Sequence, residues 1–241
     1  MMDQLIRQAQ KFNIELTKEQ IQQFQIYYEM LVETNKVMNL TAITELEEVI
    51  TKHFIDSLAL VEVYPQIRDK ESELSVLDLG TGAGFPGLPL KIVFPHFHIV
   101  LMDSLNKRVK FLQSVIDELG LCGIHPVHGR AEEAARNAAY RESFDLCVSR
   151  AVANLATLSE YCLPFVKVGG EFISYKSAEI KEEINDAKKA IAVLGGKLIT
   201  VKNVTLPDSD IERSFVFIEK KKSTPKAYPR KAGTAQKDPI H

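Results

Sequence analysis

The chain has 241 residues, 45% of them hydrophobic, and a net charge of −2, enough apolar material for one substantial α/β core and too much for a chain disordered throughout. Its three cysteines, Cys122, Cys147 and Cys162, form no C-x-x-C pair and sit in apolar runs, so they read as small core residues, and neither disulfide nor metal chemistry is expected. No apolar run reaches membrane-spanning length and the first residues lack the blocks of a signal peptide, so a cytoplasmic location is the default expectation.

The first seventy or so residues read as helical. Ile21, Phe24, Tyr28 and Leu31 recur at helical spacing behind a capping-box pattern, Thr17-x-x-Gln20, and predict a helix from about Lys18 to Asn35. A second box pattern, Thr44-x-x-Glu47, predicts a helix through Val49, Phe54 and Leu58 that stops near Tyr64-Pro65, because proline cannot continue it. From Leu74 the pattern changes to short β-branched runs alternating with helical stretches, the signature of a parallel sheet. The predicted strands are Ser75–Leu79, His98–Met102, Ile124–His128, Phe144–Ser149, Glu171–Tyr175, Leu198–Val204 and Ser214–Glu219. Between them lie the predicted helices Leu88–Phe94, Lys107–Leu119, Glu132–Ala139, Leu155–Phe165 and Ala178–Leu194, the last stopped by Gly195-Gly196. The loop around Leu206-Pro207-Asp208 is too short for a crossover helix, so the last strand should insert antiparallel.

The near-zero net charge hides an asymmetry. From Lys220 onward seven basic residues face one acid, Asp238, a net +6 that leaves −8 on the rest. A cationic tail on an acidic body suits a polyanion partner, although a solvated terminus explains the charge equally well.

The first strand runs into Asp78-Leu79-Gly80-Thr81-Gly82-Ala83-Gly84-Phe85. Gly82-Ala83-Gly84-Phe85-Pro86-Gly87 satisfies the dinucleotide pattern G-x-G-x-x-G, but the strand ends too early for it, near Leu79. In register with the strand the pattern is Asp78-x-Gly80-x-Gly82-x-Gly84, with an acid that suits a sulfonium or ammonium ligand better than a pyrophosphate. That pattern resembles the first motif of class I S-adenosylmethionine methyltransferases, in which glycines let the backbone approach the cofactor. Asp103, closing the second strand, is placed to accept hydrogen bonds from ribose hydroxyls; alone it would read as a helix N-terminal charge. Ala131 and Glu132, after the third strand, are placed to meet an adenine, with the same bland alternative for Glu132. Arg150, after the fourth strand, is the preferred polar group at the carboxyl edge, against the alternative of a surface salt bridge.

Asn39-Leu40-Thr41, His53-Phe54-x-Asp56-Ser57, the glycine loop, Asp103-Ser104-x-x-Lys107-Arg108, Arg130-Ala131-Glu132, Ser149-Arg150-Ala151 and Tyr228-Pro229-Arg230-Lys231-x-Gly233-Thr234 together resemble the RsmG (GidB) family. These are bacterial methyltransferases that make 7-methylguanosine in 16S ribosomal RNA, near the decoding site. The resemblance covers nearly the whole chain and departs in the tail, where Ala232 and Ala235 stand in place of expected prolines. It implies a doubly wound α/β methyltransferase fold and cofactor contacts from Gly80, Phe85, Ala131, Glu132 and Arg150. Asp78, Gly82, Gly84 and Asp103 complete the expected cofactor set. Three segments follow: a helical extension over 1–70, a Rossmann-like methyltransferase domain over 71–220 and a basic tail over 221–241.

Guanine N7 carries a lone pair and no proton, so its methylation requires no general base. His53 is therefore read as a packing or substrate-contact residue despite Asp56 three positions on. RNA would be held by His53, Lys107, Arg108, Arg230 and Lys231, with Phe85 or Tyr175 as a stacking surface for an unstacked base. The expected partner is 16S ribosomal RNA or the small ribosomal subunit, met by a monomer without a metal. The competing readings are an NAD-dependent oxidoreductase, a non-catalytic RNA-binding assembly protein and a small-molecule methyltransferase.

Overall fold

The computed structural model describes residues 2–150, 153–177 and 179–240; Ala151 of the predicted turn and Ala178, the predicted start of a helix, lie outside them. The chain opens with α1 (Asp3–Lys11) and α2 (Lys18–Met38). The predicted capping box forms at α2: the Thr17 hydroxyl accepts from the Gln20 amide at 3.2 Å, and the Gln20 side chain accepts from the Thr17 amide at 2.9 Å. The helix runs one turn past Asn35 and stops at Asn39, whose φ of 48° ends the helical path.

The second predicted box does not form. Helix α3 (Leu46–Val49) starts behind Glu45 with no side-chain cap, and the carbonyl of Thr44 accepts from the Tyr28 hydroxyl. This helix continues through a π turn, Ile50–Ile55, into the short segments α4 (Asp56–Leu58) and α5 (Leu60–Val63), then ends at Tyr64-Pro65 as expected.

The sheet is the doubly wound class I methyltransferase arrangement predicted from the sequence. Its strands are β1 (Ser75–Leu79), β2 (His98–Asp103), β3 (Ile124–His128), β4 (Phe144–Arg150), β5 (Val166–Ser177), β6 (Gly196–Thr205) and β7 (Glu212–Lys220), in the order β3-β2-β1-β4-β5-β7-β6. Strand β7 inserts antiparallel between β5 and β6, as the short loop requires.

Period-two alternation decides which face each side chain covers. Val76, Ile99, Leu101 and Val148 pack with residues of α1, α2, α6 (Gly87–Val93) and α7 (Asn106–Glu118). Leu77, Val100, Cys147 and Phe172 pack on the other face with residues of α9 (Leu155–Cys162) and α10 (Lys181–Val193). The N-terminal helices thus share one continuous core with the sheet. Helix α1 also reaches the opposite end of the chain, since the buried side chain of Gln8 donates to the carbonyl of Pro207 at 2.8 Å.

Two expectations fail locally. The helix predicted over Glu132–Ala139 is one turn, α8 (Ala131–Ala134). Asn137 turns its side chain back to the Ala139 amide at 2.9 Å and Arg141 takes the carbonyl of Ala135 at 3.1 Å, so local side-chain bonds replace the next helical turn. Cys147 and Cys162 are buried as predicted, but Cys122 is exposed, in the loop between α7 and β3.

The segment after Glu219 folds back on the sheet. Lys220 is wholly buried, donating to the Thr224 hydroxyl at 2.8 Å and lying 3.2 Å from Glu142; burial pulls its ammonium down to about 8. Arg141 grips the carbonyls of Thr224 at 2.8 Å and Tyr228 at 3.1 Å. A final turn, α11 (Thr234–Lys237), ends the segment.

Candidate active site

The glycine loop leaves β1 at Leu79, and Gly80 and Thr81 both donate to the carbonyl of Met102 at the end of β2. Asp78, expected to present its charge to a ligand, is fully buried beneath the loop. Its Oδ2 accepts from the Thr81 hydroxyl and from the Gly87 amide, both at 2.7 Å, and burial pushes the carboxyl up to about 6. Among the described residues its other oxygen, Oδ1, has no hydrogen-bond partner.

This arrangement removes the oxidoreductase reading. The N-terminus of α6, where a pyrophosphate would sit, is occupied by the protein's own carboxylate. The glycines also differ in purpose. A Cβ on Gly82 would meet nothing within 4 Å, so space is open there. A Cβ on Gly84 would stand 2.8 Å from the Tyr27 hydroxyl and overlap Leu88, so that position serves packing, not ligand approach.

Two cavities flank the loop. The first, of about 380 Å³, is lined by Gly80, Asp103, Arg108, Ala131, Glu132 and Tyr161, with Gly233 and Gln236 from the C-terminal segment. Asp103 Oδ2 accepts from the Gly82 amide at 3.0 Å and faces Arg108 at 3.3 Å, while Oδ1 accepts from the Leu105 amide at 2.9 Å. Glu132 Oε1 accepts from the Gly233 amide at 2.9 Å.

The second cavity, of about 630 Å³, is lined by Lys52, His53, Asp56, Arg150, Lys176 and Arg213, among others. Its centre is Asp56, 2% exposed, which accepts from Arg150 at 2.8 Å and Arg213 at 2.9 Å. Arg150 also donates to the carbonyl of Lys52, in the π turn, at 3.0 Å. It is therefore anchored in a buried pair, not in a surface salt bridge.

Phe85 lies between this cluster and α2. Its ring stacks on His53 at 4.5 Å and Tyr27 at 5.5 Å, with the Arg150 guanidinium 5.1 Å from the ring centroid. The Tyr27 hydroxyl donates to the carbonyl of Ala83 at 2.6 Å, tying the loop to the helical extension. Burial, with Arg150 beside it, holds the His53 imidazole down at about 4. Phe85 is 4% exposed and Tyr175 1%, the latter against Phe215 at 4.6 Å, so neither ring offers the stacking surface expected of it.

The expected cofactor residues are thus divided. Gly80, Asp103, Ala131 and Glu132 line the first cavity and Arg150 the second, while Asp78, Gly82, Gly84 and Phe85 line neither, and of these four all but Gly82 are buried. Of the expected RNA contacts, His53 lines the second cavity. Lys107 reaches the carbonyl of Met38 at 3.2 Å and Arg108 pairs with Asp103. Arg230 is bound to Glu160, at 2.7 Å in its ion pair, while Lys231 is exposed. Sequence reasoning missed Tyr27 and Arg213; their spacing carries no local signal, since their partners lie 56 and 157 positions away. Among the described residues no His, Cys, Asp and Glu cluster could hold a metal ion, and no helix is long and apolar enough to cross a membrane.

Comparison with solved structures returns the same fold. MtNAS bound to S-adenosylmethionine, in a mutant form, superposes with a TM-score of 0.55 at 14% identity, covering 82% of this chain and 76% of that one. MtNAS in complex with MTA and tNA gives 0.54 at 14%, covering 81% and 73%. Sequence relatives are much nearer. "Ribosomal RNA small subunit methyltransferase G" of Lachnoclostridium phytofermentans is 53% identical over 98% of this chain and 96% of its own length. The protein of that name from Lactococcus lactis subsp. lactis is 51% identical over 99% and 98%. The profile of the family described as rRNA small subunit methyltransferase G matches residues 20–214, and the chain belongs to that family.

Proposed function

We propose that the protein methylates N7 of a guanine in the decoding-region loop of 16S ribosomal RNA, using S-adenosylmethionine and acting in the cytoplasm. The observation that carries this reading is the pair of cavities at the carboxyl edge of the sheet, one offering Asp103 and Glu132 beside Gly80 and the other gathering Lys52, Arg150, Lys176 and Arg213.

The residues fit the cofactor. The open space above Gly82 accommodates a ligand against the backbone, Asp103 and Glu132 offer acceptors to a ribose and an adenine, and Arg150 offers a guanidinium to a carboxylate. The Asp78 carboxylate beneath the loop adds negative potential that favours a cationic ligand above it. When bound, S-adenosylmethionine supplies an electrophilic methyl group on a sulfonium centre. The protein's own task is then alignment and charge placement.

The state of the titratable groups supports a reaction without proton abstraction. His53 stays neutral at physiological pH, with Nε2 2.8 Å from the Thr41 hydroxyl and Nδ1 3.2 Å from Arg150. Asp56 is held between two guanidiniums. Neither is a free base, and N7 needs none. Lys52, Lys176 and Arg213 at the second cavity suit the phosphates around an unstacked guanine, with Lys107 and Lys231 as further cations.

The test is tritium transfer from labelled S-adenosylmethionine to small subunits and naked 16S RNA from cells lacking the protein, followed by mass mapping. One N7-methylguanine is expected; label on another atom, or none on any assembly intermediate, refutes the reading. In the same protein S-adenosylhomocysteine should raise the melting temperature and NADH should not. Gly80→Val and Asp103→Ala should each weaken cofactor binding in equilibrium dialysis by about tenfold or more, the first by filling ligand space and the second by removing an acceptor.

A further inference from the structure

The charge split at Glu219 suggests a free cationic tail, yet the inner face of that segment is built into the wall of the first cavity. Arg230 meets Glu160, 1% exposed, through its backbone amide at 2.7 Å, Nε at 3.1 Å and Nη2 at 2.7 Å. Such a multiply bonded, charge-assisted pair fixes direction as well as distance. Five residues on, the carbonyl of Ala235, itself 1% exposed, accepts from the Thr157 hydroxyl at 3.0 Å. Between these anchors the Gly233 amide takes Glu132 Oε1, the oxygen of a residue expected to bind cofactor.

The result is a strap that passes across the cavity and contributes Gly233 and Gln236 to its lining, opposite the strand-end residues Gly80, Asp103 and Ala131. Gln236 is exposed, and its carboxamide carries both donors and an acceptor. That combination matches the paired donor and acceptor on an adenine edge. The charges of the strap divide accordingly: Arg230 points inward to Glu160, while Lys226, Lys231 and Lys237 remain exposed.

We propose that residues 230–237 are part of the cofactor site, with Gln236 as an adenine-contacting side chain held in place by the Glu132–Gly233 and Glu160–Arg230 bonds. The proposal rests on the reading of the first cavity as the nucleoside end of an S-adenosylmethionine site. It makes the inner face of the C-terminal segment a determinant of cofactor affinity, distinct from any phosphate contact made by its outer lysines.

Hydrogen exchange on the full-length protein separates the two levels. S-adenosylhomocysteine should slow exchange at the amides of 233–237 together with those of the glycine loop. Slowing confined to the loop overturns the strap; slowing in neither overturns the cofactor site itself, and the strap with it. Gln236→Ala should raise the Kd for S-adenosylhomocysteine about fivefold, the effect of one net hydrogen bond, with the KM for RNA and the melting temperature unchanged. A raised KM for RNA with unchanged Kd overturns the assignment of Gln236, as does no change in either. Glu160→Gln, which loosens Arg230 without touching the cavity, should shift Kd in the same direction and accelerate exchange at 233–237 in the free protein; a normal Kd despite the faster exchange counts against the strap.

Discussion

The cavity on the Asp103 side of the glycine loop takes most of its lining from the ends of three successive strands, whereas the one on the Arg150 side is centred on residues far apart in the chain. Asp56 meets Arg150 across 94 positions and Arg213 across 157. The first kind of site follows from the parallel sheet, whose strand ends converge on one edge whatever the side chains do. The second depends on tertiary closure, because Asp56 is buried at a cost that its two guanidiniums must offset. One site is therefore expected to fail by losing ligand and the other by losing the fold.

Asp56→Ala is the strongest way to break this contrast. It leaves Arg150, with 14% side-chain exposure, and Arg213, with 24%, facing each other without their shared carboxylate, and should cost about 3 kcal/mol or more in urea unfolding. A loss below 1 kcal/mol would mean that solvent already screens the cluster and that the second cavity is no more built than the first.

The glycine loop allows a finer comparison. Gly84→Ala meets both a φ of 109° and the overlap with Leu88 and Tyr27, so about 3 kcal/mol should be lost. Gly82→Ala meets a φ of 63° but no neighbour; about 1 kcal/mol of backbone strain is expected, with a larger effect on cofactor affinity than on stability. Equal losses of stability in the two variants would show that the space above Gly82 is not open in solution.

The last comparison is read as a slope. His53 titrates near 4 in the folded chain and near 6.5 when unfolded, so between those values the unfolded chain binds more protons and stability falls as pH is lowered. Asp78 works in the opposite sense: its carboxyl is raised to about 6, so the folded chain holds the proton more tightly and that contribution disappears as pH rises from about 4 to 6. Across pH 4 to 6.5 the stability of His53→Asn should rise less with pH than that of the unchanged protein, or fall, and the stability of Asp78→Asn should rise more. Parallel curves for all three would remove both groups from the account.

Local chemistry was legible in the sequence where local chemistry decides the structure. The Thr17–Gln20 box starts α2, β-branched runs form the strands, and the short loop at Leu206-Pro207-Asp208 forces β7 to run antiparallel. The Thr44 box failed because the helix starts one residue later, behind Glu45, which takes the cap position without a side-chain bond. The alternation of strands and helices overestimated α8, where Asn137 and Arg141 bind the backbone instead. In the site, the strand-end residues Gly80, Asp103, Ala131 and Glu132 could be read by counting from β1. Asp78 was expected to face a ligand, but it is turned beneath the loop, because burial is a property of packing. The basic count after Glu219 concealed that Lys220 and Arg230 are bound within the fold.

Helix α1 is synthesised long before the β6–β7 loop, yet the buried Gln8 bonds to Pro207, 199 positions later. On a ribosome this contact cannot form until the β6–β7 hairpin has emerged. Arg7, which meets Asp208 at 3.1 Å in the same loop, waits with it. Helix α1 is thus held from two sides, by Thr51 of the π turn, which bonds to Gln4 and Gln8, and by the β6–β7 loop through a non-local contact. A nascent chain stalled before residue 207 would hold α1 against Thr51 but leave the buried Gln8 side chain without its carbonyl acceptor.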